Sequence, residues 1–303
     1  MLYRRGHFEE ETPERLRRWL IAQQKMGRLR PIKGLGQHFL LDPEVMQESI
    51  TAAQVTTDDT VLEVGPGPGF LTKRLAQVAQ RVVAVEVDRS MVGLLAELRR
   101  SFPNLSVVEG NILAIAPGEL MAEGPYKVVA NLPYYITSAA IRHFLEAQHP
   151  PSILSLLVQR EVAERICAHP GEMSLLALSV QLYAEPTLVL RVPASSFFPP
   201  PHVESALLKL VMRTQMIIPP ELVSVFFRLA QAGFSDRRKQ LHNALRINLR
   251  LSSARVEALL DKAKIAGSRR AETLSIAEWH RLAIFYQQQV GAPIDQREMV
   301  AER

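Results

Sequence analysis

The sequence carries a single cysteine, Cys167, in 303 residues, so no disulfide can close within the chain. That scarcity fits a reducing compartment, and a small core residue on a helix is the simplest reading of the thiol. Long apolar runs are missing too: none reaches the length that spans a membrane. The first thirty residues have no apolar core of the signal-peptide kind, and Glu9, Glu10, Glu11 and Glu14 argue against a mitochondrial transit peptide. The eight histidines are scattered, and no His-Glu-x-x-His metal spacing occurs. Repeats and low-complexity tracts are absent. What remains is an ordinary globular composition, 22% charged and 47% hydrophobic, with length for one large domain or a large and a small one. The net charge of +5 is compatible with a polyanionic partner without identifying one. The expectation is a cytoplasmic protein, a monomer with no membrane attachment and no metal.

Thr12 followed by Pro13 reads as a helix N-cap with proline at the first helical position, and Gly27 as the stop. Residues 1–28 are therefore expected to form a basic helical extension. From about Asp59 to Val211 short apolar runs alternate with helical patterns. Val61–Val64, Arg81–Val87, Ser106–Val108, Lys127–Ala130 and Ile153–Val158 read as buried strands. Leu71–Val78 and Met91–Leu98 read as the helices between them. This alternation predicts an α/β fold with a mostly parallel sheet over residues 29–213. Ile217–Pro220 looks like a linker, and Glu221–Gln289 reads as helices only, so residues 214–303 are expected to be a small all-α domain.

The first chemical signal is Glu63-Val64-Gly65-Pro66-Gly67-Pro68-Gly69-Phe70, which leaves a strand and enters a helix. Glycines permit a tight turn and close approach of backbone to a ligand. Glu86, at the end of the next strand, can accept hydrogen bonds from ribose hydroxyls. Together they point to a nucleoside-containing cofactor. The Gly-x-Gly-x-Gly spacing differs from the dinucleotide Gly-x-Gly-x-x-Gly. A negative Glu63 in the turn would repel a pyrophosphate and favour a cationic methionine moiety. Both tilt the reading toward S-adenosylmethionine.

The second signal is Asn131-Leu132-Pro133-Tyr134-Tyr135, directly after a strand, where open α/β sheets bind ligands. An adenine amine is a poor nucleophile because its lone pair is delocalised into the ring. Two acceptors aimed at its hydrogens favour a pyramidal nitrogen. The Asn131 side-chain oxygen and the Pro133 carbonyl can supply them, while Tyr134 stacks on the base. Positioning and preorganised dipoles would then carry the catalysis.

With these motifs in place, the sequence resembles the KsgA-type small-subunit rRNA adenine dimethyltransferases, relatives of the erythromycin-resistance rRNA methylases. The likeness runs from about Lys33 to Leu282. It rests on Gly36-Gln37-His38-Phe39-Leu40, the glycine turn, Val85-Glu86-Val87-Asp88, Asn131-Leu132-Pro133-Tyr134, Gln159-Arg160-Glu161-Val162-Ala163, Phe197-x-Pro199-x-Pro201-x-Val203 and Phe234-Ser235-x-Arg237-Arg238-Lys239. The resemblance implies a class I, Rossmann-like methyltransferase with a helical C-terminal rRNA-binding domain. It implies cofactor contacts at His38, Leu40, Gly65, Gly67, Glu86, Asn111 and Asn131. It also implies a target-base pocket from Asn131, Pro133, Tyr134 and Phe197, with Phe197 stacking on the far face of a flipped base. The sequence departs from the family at three places. Asn111 stands where most relatives carry Asp, and its uncharged oxygen should bind the cofactor somewhat more weakly. His38 stands where some members have Asn. Glu172–Leu178 lacks a Tyr-Gly-Arg pattern.

An enzyme acting on a base needs it unpaired or flipped out, and affinity for RNA needs basic surface. Arg237, Arg238, Lys239 and Arg246 are the candidates. Arg238, His242, Arg246 and Arg250 recur every fourth residue as one helical stripe, beside an apolar stripe of Leu241, Leu245 and Leu249. The function expected is dimethylation of two adjacent adenosines in the 3′-terminal hairpin loop of 16S rRNA, on a pre-30S particle, with a role in ribosome biogenesis. The alternatives are a large-subunit methylase conferring macrolide resistance and a non-enzymatic rRNA-binding assembly factor. A nicotinamide-dependent oxidoreductase is disfavoured by the glycine spacing.

Overall fold

The computed structural model describes residues 12–29, 36–121, 124–236 and 238–291. Two compact units divide the chain. The first takes residues 1–164 and 184–213, and the second residues 165–183 and 214–303.

The first unit opens with α1 (Pro13–Lys25), capped by the Thr12 side chain and stopped at Gly27, whose φ is 70°. Leu16 and Leu20 are buried. Trp19 sets its ring edge-on to Phe70, and the Arg17 guanidinium lies 5.1 Å from the Phe198 ring centroid. The extension's described part is thus a helix docked on this unit by its apolar stripe. Then follow β1 (Phe39–Leu40), α2 (Pro43–Ala52), β2 (Thr60–Val64), α3 (Phe70–Val78), β3 (Arg81–Glu86), α4 (Arg89–Arg99), β4 (Leu105–Glu109), α5 (Pro117–Leu120), β5 (Tyr126–Asn131), α6 (Thr137–Leu145), β6 (Ile153–Gln159) and α7 (Arg160–Ile166). The unit is completed by β7 (Ala184–Val192), β8 (Phe197–Phe198) and β9 (Ser205–Met212).

Seven strands form one sheet in the order β4-β3-β2-β5-β6-β9-β7. The first five pair in parallel, and β9 runs antiparallel to both β6 and β7. The apolar runs read from sequence are the parallel strands; β2, β3, β5 and β6 are largely buried, while β4 at the sheet edge is only partly so. The chain lays β3 and β4 on one side of β2 and then crosses to place β5 on the other. That reversal opens a crevice at the carboxyl ends of β2 and β5, where the glycine turn and Asn131 emerge. A separate two-stranded ribbon pairs β1 with β8 antiparallel, Phe39 opposite Phe198 and Leu40 opposite Phe197.

The second unit holds α8 (Leu175–Gln181), α9 (Val223–Phe234), α10 (Leu241–Leu249), α11 (Ser253–Ala263) and α12 (Ile276–Gly291). The sequence assigns 165–183 to the catalytic domain, but Ala168, Met173, Leu178 and Leu182 pack into one core with Phe226, Leu245, Trp279 and Leu282. Helical periodicity marks an apolar face without saying which core it joins. The expected linker contributes to that core as well, since Ile218 is buried. A second difference lies in the basic stripe. Leu241, Leu245 and Leu249 are buried as expected, but α10 begins only at Leu241 and Arg250 closes it with φ 55°. Asp236 forms the turn before it, accepting the Arg238 N–H through its side chain and the Lys239 N–H through its carbonyl. Only His242 and Arg246 of the four-residue stripe therefore lie on the helix.

Candidate active site

A cavity of about 490 Å³ occupies the crevice at the strand ends, within the range of small-molecule sites. The glycine turn forms one wall. Gly65 and Gly67 hold φ of 65° and 54°, a region where a side chain costs strain. A Cβ on Gly67 would also approach the Phe39 ring to 3.1 Å. The turn therefore offers bare backbone to whatever binds.

Glu86 ends β3 on the same wall and is buried. Burial raises its pKa, opposed by three backbone donors. Oε2 accepts from Gly67 N–H at 2.9 Å, and Oε1 accepts from Val87 and Asp88 N–H, each at 2.9 Å. A carboxylate has about four lone-pair positions, so one, on Oε2, remains for a ligand hydroxyl. Asn111 lines the cavity too, its Oδ1 accepting the Leu113 N–H at 3.0 Å and keeping one lone pair open. The Gln37 side chain, also in the lining, donates to Asp88 Oδ2 at 2.9 Å.

The opposite wall carries the Asn-Leu-Pro-Tyr segment. Asn131 Nδ2 donates to the His38 carbonyl at 2.8 Å. A carbonyl can only accept, so the amide orientation is set and Oδ1 is left as the acceptor. The Pro133 carbonyl is already engaged, by the Ile136 N–H at 3.1 Å and the Thr137 hydroxyl at 3.4 Å. Leu132, one residue earlier, is a lining residue, and its carbonyl accepts neither of these bonds. Tyr134 shares a hydrogen bond of 2.7 Å with Ser205 Oγ, and burial raises its pKa. Its ring stacks with that of His38, centroids 5.8 Å apart and planes inclined by 26°.

Of the residues expected here, His38, Gly65, Gly67, Glu86, Asn111, Asn131, Pro133 and Tyr134 line this one cavity. Leu40 and Phe197 do not. Leu40 is 6% exposed and Phe197 3% exposed, and they face each other in the β1–β8 ribbon as part of the hydrophobic core. The aromatic that does line the cavity with an exposed ring is Tyr135, 62% accessible. The sequence contained it beside Tyr134 without indicating its exposure. Glu63 also departs from expectation. It is 1% exposed, lies outside the main cavity's lining, and burial pushes its carboxyl up to about 8, with the neighbouring Glu86 charge adding to the rise. Burial thus works against the negative charge that the turn was expected to carry.

In the second unit Arg238 and Arg246 are exposed, and Lys239 pairs with Asp236 at 3.7 Å. Arg237 lies outside the described residues. Among the described residues no cluster of His, Cys, Asp and Glu could hold a metal ion, and no helix is long and apolar enough to cross a membrane.

A parallel sheet closed by an antiparallel hairpin, with a glycine turn and an acidic strand end at the crevice, defines a class I methyltransferase fold. The solved structures that resemble the chain agree. The 23S rRNA methyltransferase ErmE is 29% identical with a TM-score of 0.68, covering 82% of this chain and all of that one. A dimethyladenosine transferase from Plasmodium falciparum is 25% identical with a TM-score of 0.73, covering 84% of this chain and 98% of that one. The family model for ribosomal RNA adenine dimethylase matches residues 30–288, and the chain belongs to that family. Among its curated relatives, the ribosomal RNA small subunit methyltransferase A of Dehalococcoides mccartyi strain 195 is 46% identical over 85% of this chain and 89% of its own. The protein of the same name from Alkaliphilus oremlandii is 38% identical over 83% and 90%.

Proposed function

We propose that this methyltransferase uses S-adenosylmethionine to dimethylate the N6 amines of two adjacent adenosines in the 3′-terminal hairpin loop of small-subunit rRNA, acting on a precursor of the 30S particle in the cytoplasm. The observation that carries the reading is Asn131, with its side-chain oxygen left as an acceptor at the mouth of the crevice and its nitrogen tied to the His38 carbonyl.

The lining fits the cofactor. Glu86 keeps one acceptor position for a ribose hydroxyl, Asn111 keeps one lone pair for an adenine amine, and the glycine turn leaves room for a methionine arm. When bound, S-adenosylmethionine supplies an electrophilic methyl group on a sulfonium centre. The chain's own residues prepare the acceptor. Asn131 Oδ1 takes one amine hydrogen, and the Leu132 carbonyl, in place of the occupied Pro133 carbonyl, takes the other. Tyr134 holds the base by stacking. The amine becomes acidic once methylated, so the proton leaves without a strong base, and a second round completes the dimethyl product. Phe197 acts from the core, holding β8 on β1. Arg238, Lys239 and Arg246, with Arg237, contribute electrostatic attraction to RNA phosphates.

The test is to incubate the purified chain with methyl-labelled cofactor and under-methylated ribosomal subunits. Label in the small subunit supports the reading. Label in the large subunit supports the resistance-type methylase. Tight binding to the small subunit without label supports an assembly factor.

A further inference from the structure

His38 has more contacts than a cofactor ligand needs. It precedes β1, and the β1–β8 register puts it opposite Pro199. Proline has no N–H, so the backbone ladder cannot continue there in the usual reciprocal way. The imidazole takes over: His38 Nδ1 lies 2.7 Å from the Pro199 carbonyl. Because that oxygen can only accept, Nδ1 carries the proton. The same residue's carbonyl accepts from Asn131 Nδ2 at 2.8 Å, and its ring lies against Tyr134. One residue thus joins Asn131, Tyr134 and the end of β8, pieces that lie far apart in the chain.

We propose that His38 is a positioning residue for the target base, a role distinct from contact with the cofactor. It fixes the Asn131 amide through its backbone and anchors the Phe197–Pro199 strand end through Nδ1. Its ring also steadies Tyr134 from beside it. A base entering the cavity then meets a fixed Tyr134 ring, at a height set by Asn131. The inference rests on the reading that Asn131 and Tyr134 receive the adenine.

Substitution at His38 leaves the backbone bond to Asn131 possible, so the ring's contribution can be isolated. The experiment measures single-turnover methyl transfer to small subunits and, separately, cofactor dissociation by titration, for wild type, His38→Ala and His38→Asn. The expected result is a rate at saturating cofactor about tenfold lower in His38→Ala, the scale of one lost hydrogen bond plus its stacking contact. Asparagine keeps a donor that can reach Pro199 and should recover most of the rate. One result would overturn the proposal: His38→Ala matching wild type at saturating cofactor, so that any loss lies in cofactor affinity alone. Absence of transfer by the wild-type protein would count against the adenine reading itself, so the two failures are distinguishable.

Discussion

The two walls of the cavity are assembled over different distances in the sequence. On the glycine-turn wall, Glu86 bonds to Val87, Asp88 and Gly67, positions 1, 2 and 19 residues away. On the acceptor wall, Tyr134 reaches Ser205 across 71 positions, Asn131 reaches His38 across 93, and His38 reaches Pro199 across 161. The first wall is mostly a local strand–turn–helix–strand device, its longest link being Gln37 to Asp88 across 51 positions. The second exists only when the sheet and the β1–β8 ribbon are complete. Cofactor binding and base positioning should therefore separate under mutation, and each wall has substitutions that sharpen or break this contrast.

The largest effect is expected from Asn131→Ala. Removing the acceptor aimed at the amine should lower the methyl-transfer rate by about 10²–10³, far more than it weakens cofactor binding, as read by single-turnover transfer beside a binding titration. Equal losses in both would erase the contrast. On the other wall, Glu86→Ala should raise the cofactor dissociation constant by about tenfold to a hundredfold. The rate at saturating cofactor should change little. Tyr134→Phe keeps the stacking ring and loses the bond to Ser205; a reduction of about threefold to tenfold in transfer is expected, with cofactor affinity unchanged.

The remaining contrast concerns stability. Burial raises the Glu63 pKa from 4.5 to about 8 in the fold. Between those values the folded protein holds a proton that the unfolded chain has released, so this group makes stability fall as pH rises through that window. Thermal unfolding of Glu63→Gln should show a flatter decline in Tm between about pH 5 and 8 than wild type. Parallel curves would mean that Glu63 is charged in the fold.

The same contrast in range explains what could be read from the sequence. The Thr12–Pro13 cap, the parallel strands, the glycine turn and Glu86 are each written in a few neighbouring residues, and the structure has them where they were expected. Phe197 was legible as an aromatic before a proline-rich stretch, but its burial follows from pairing with Leu40, far upstream. The charge of Glu63 depends on how deeply the turn is covered, which no motif states. The engagement of the Pro133 carbonyl became visible only with the short turn it starts. Residues 165–183 were assigned to the catalytic domain with no element read there, and only the packing of α8 shows that they belong to the helical unit. The stripe through Arg238 and Arg250 overran α10 because the Asp236 turn and the left-handed Arg250 bound the helix at both ends.

The most direct test of the central claim is mass spectrometry of small-subunit rRNA after reaction with the purified chain, with nuclease fragments resolved across the 3′-terminal hairpin. N6,N6-dimethyladenosine is expected at two adjacent positions of the hairpin loop, absent when Asn131→Ala replaces the wild type. Methyl groups on other bases, elsewhere in the rRNA, or undiminished in the Asn131→Ala reaction would contradict it.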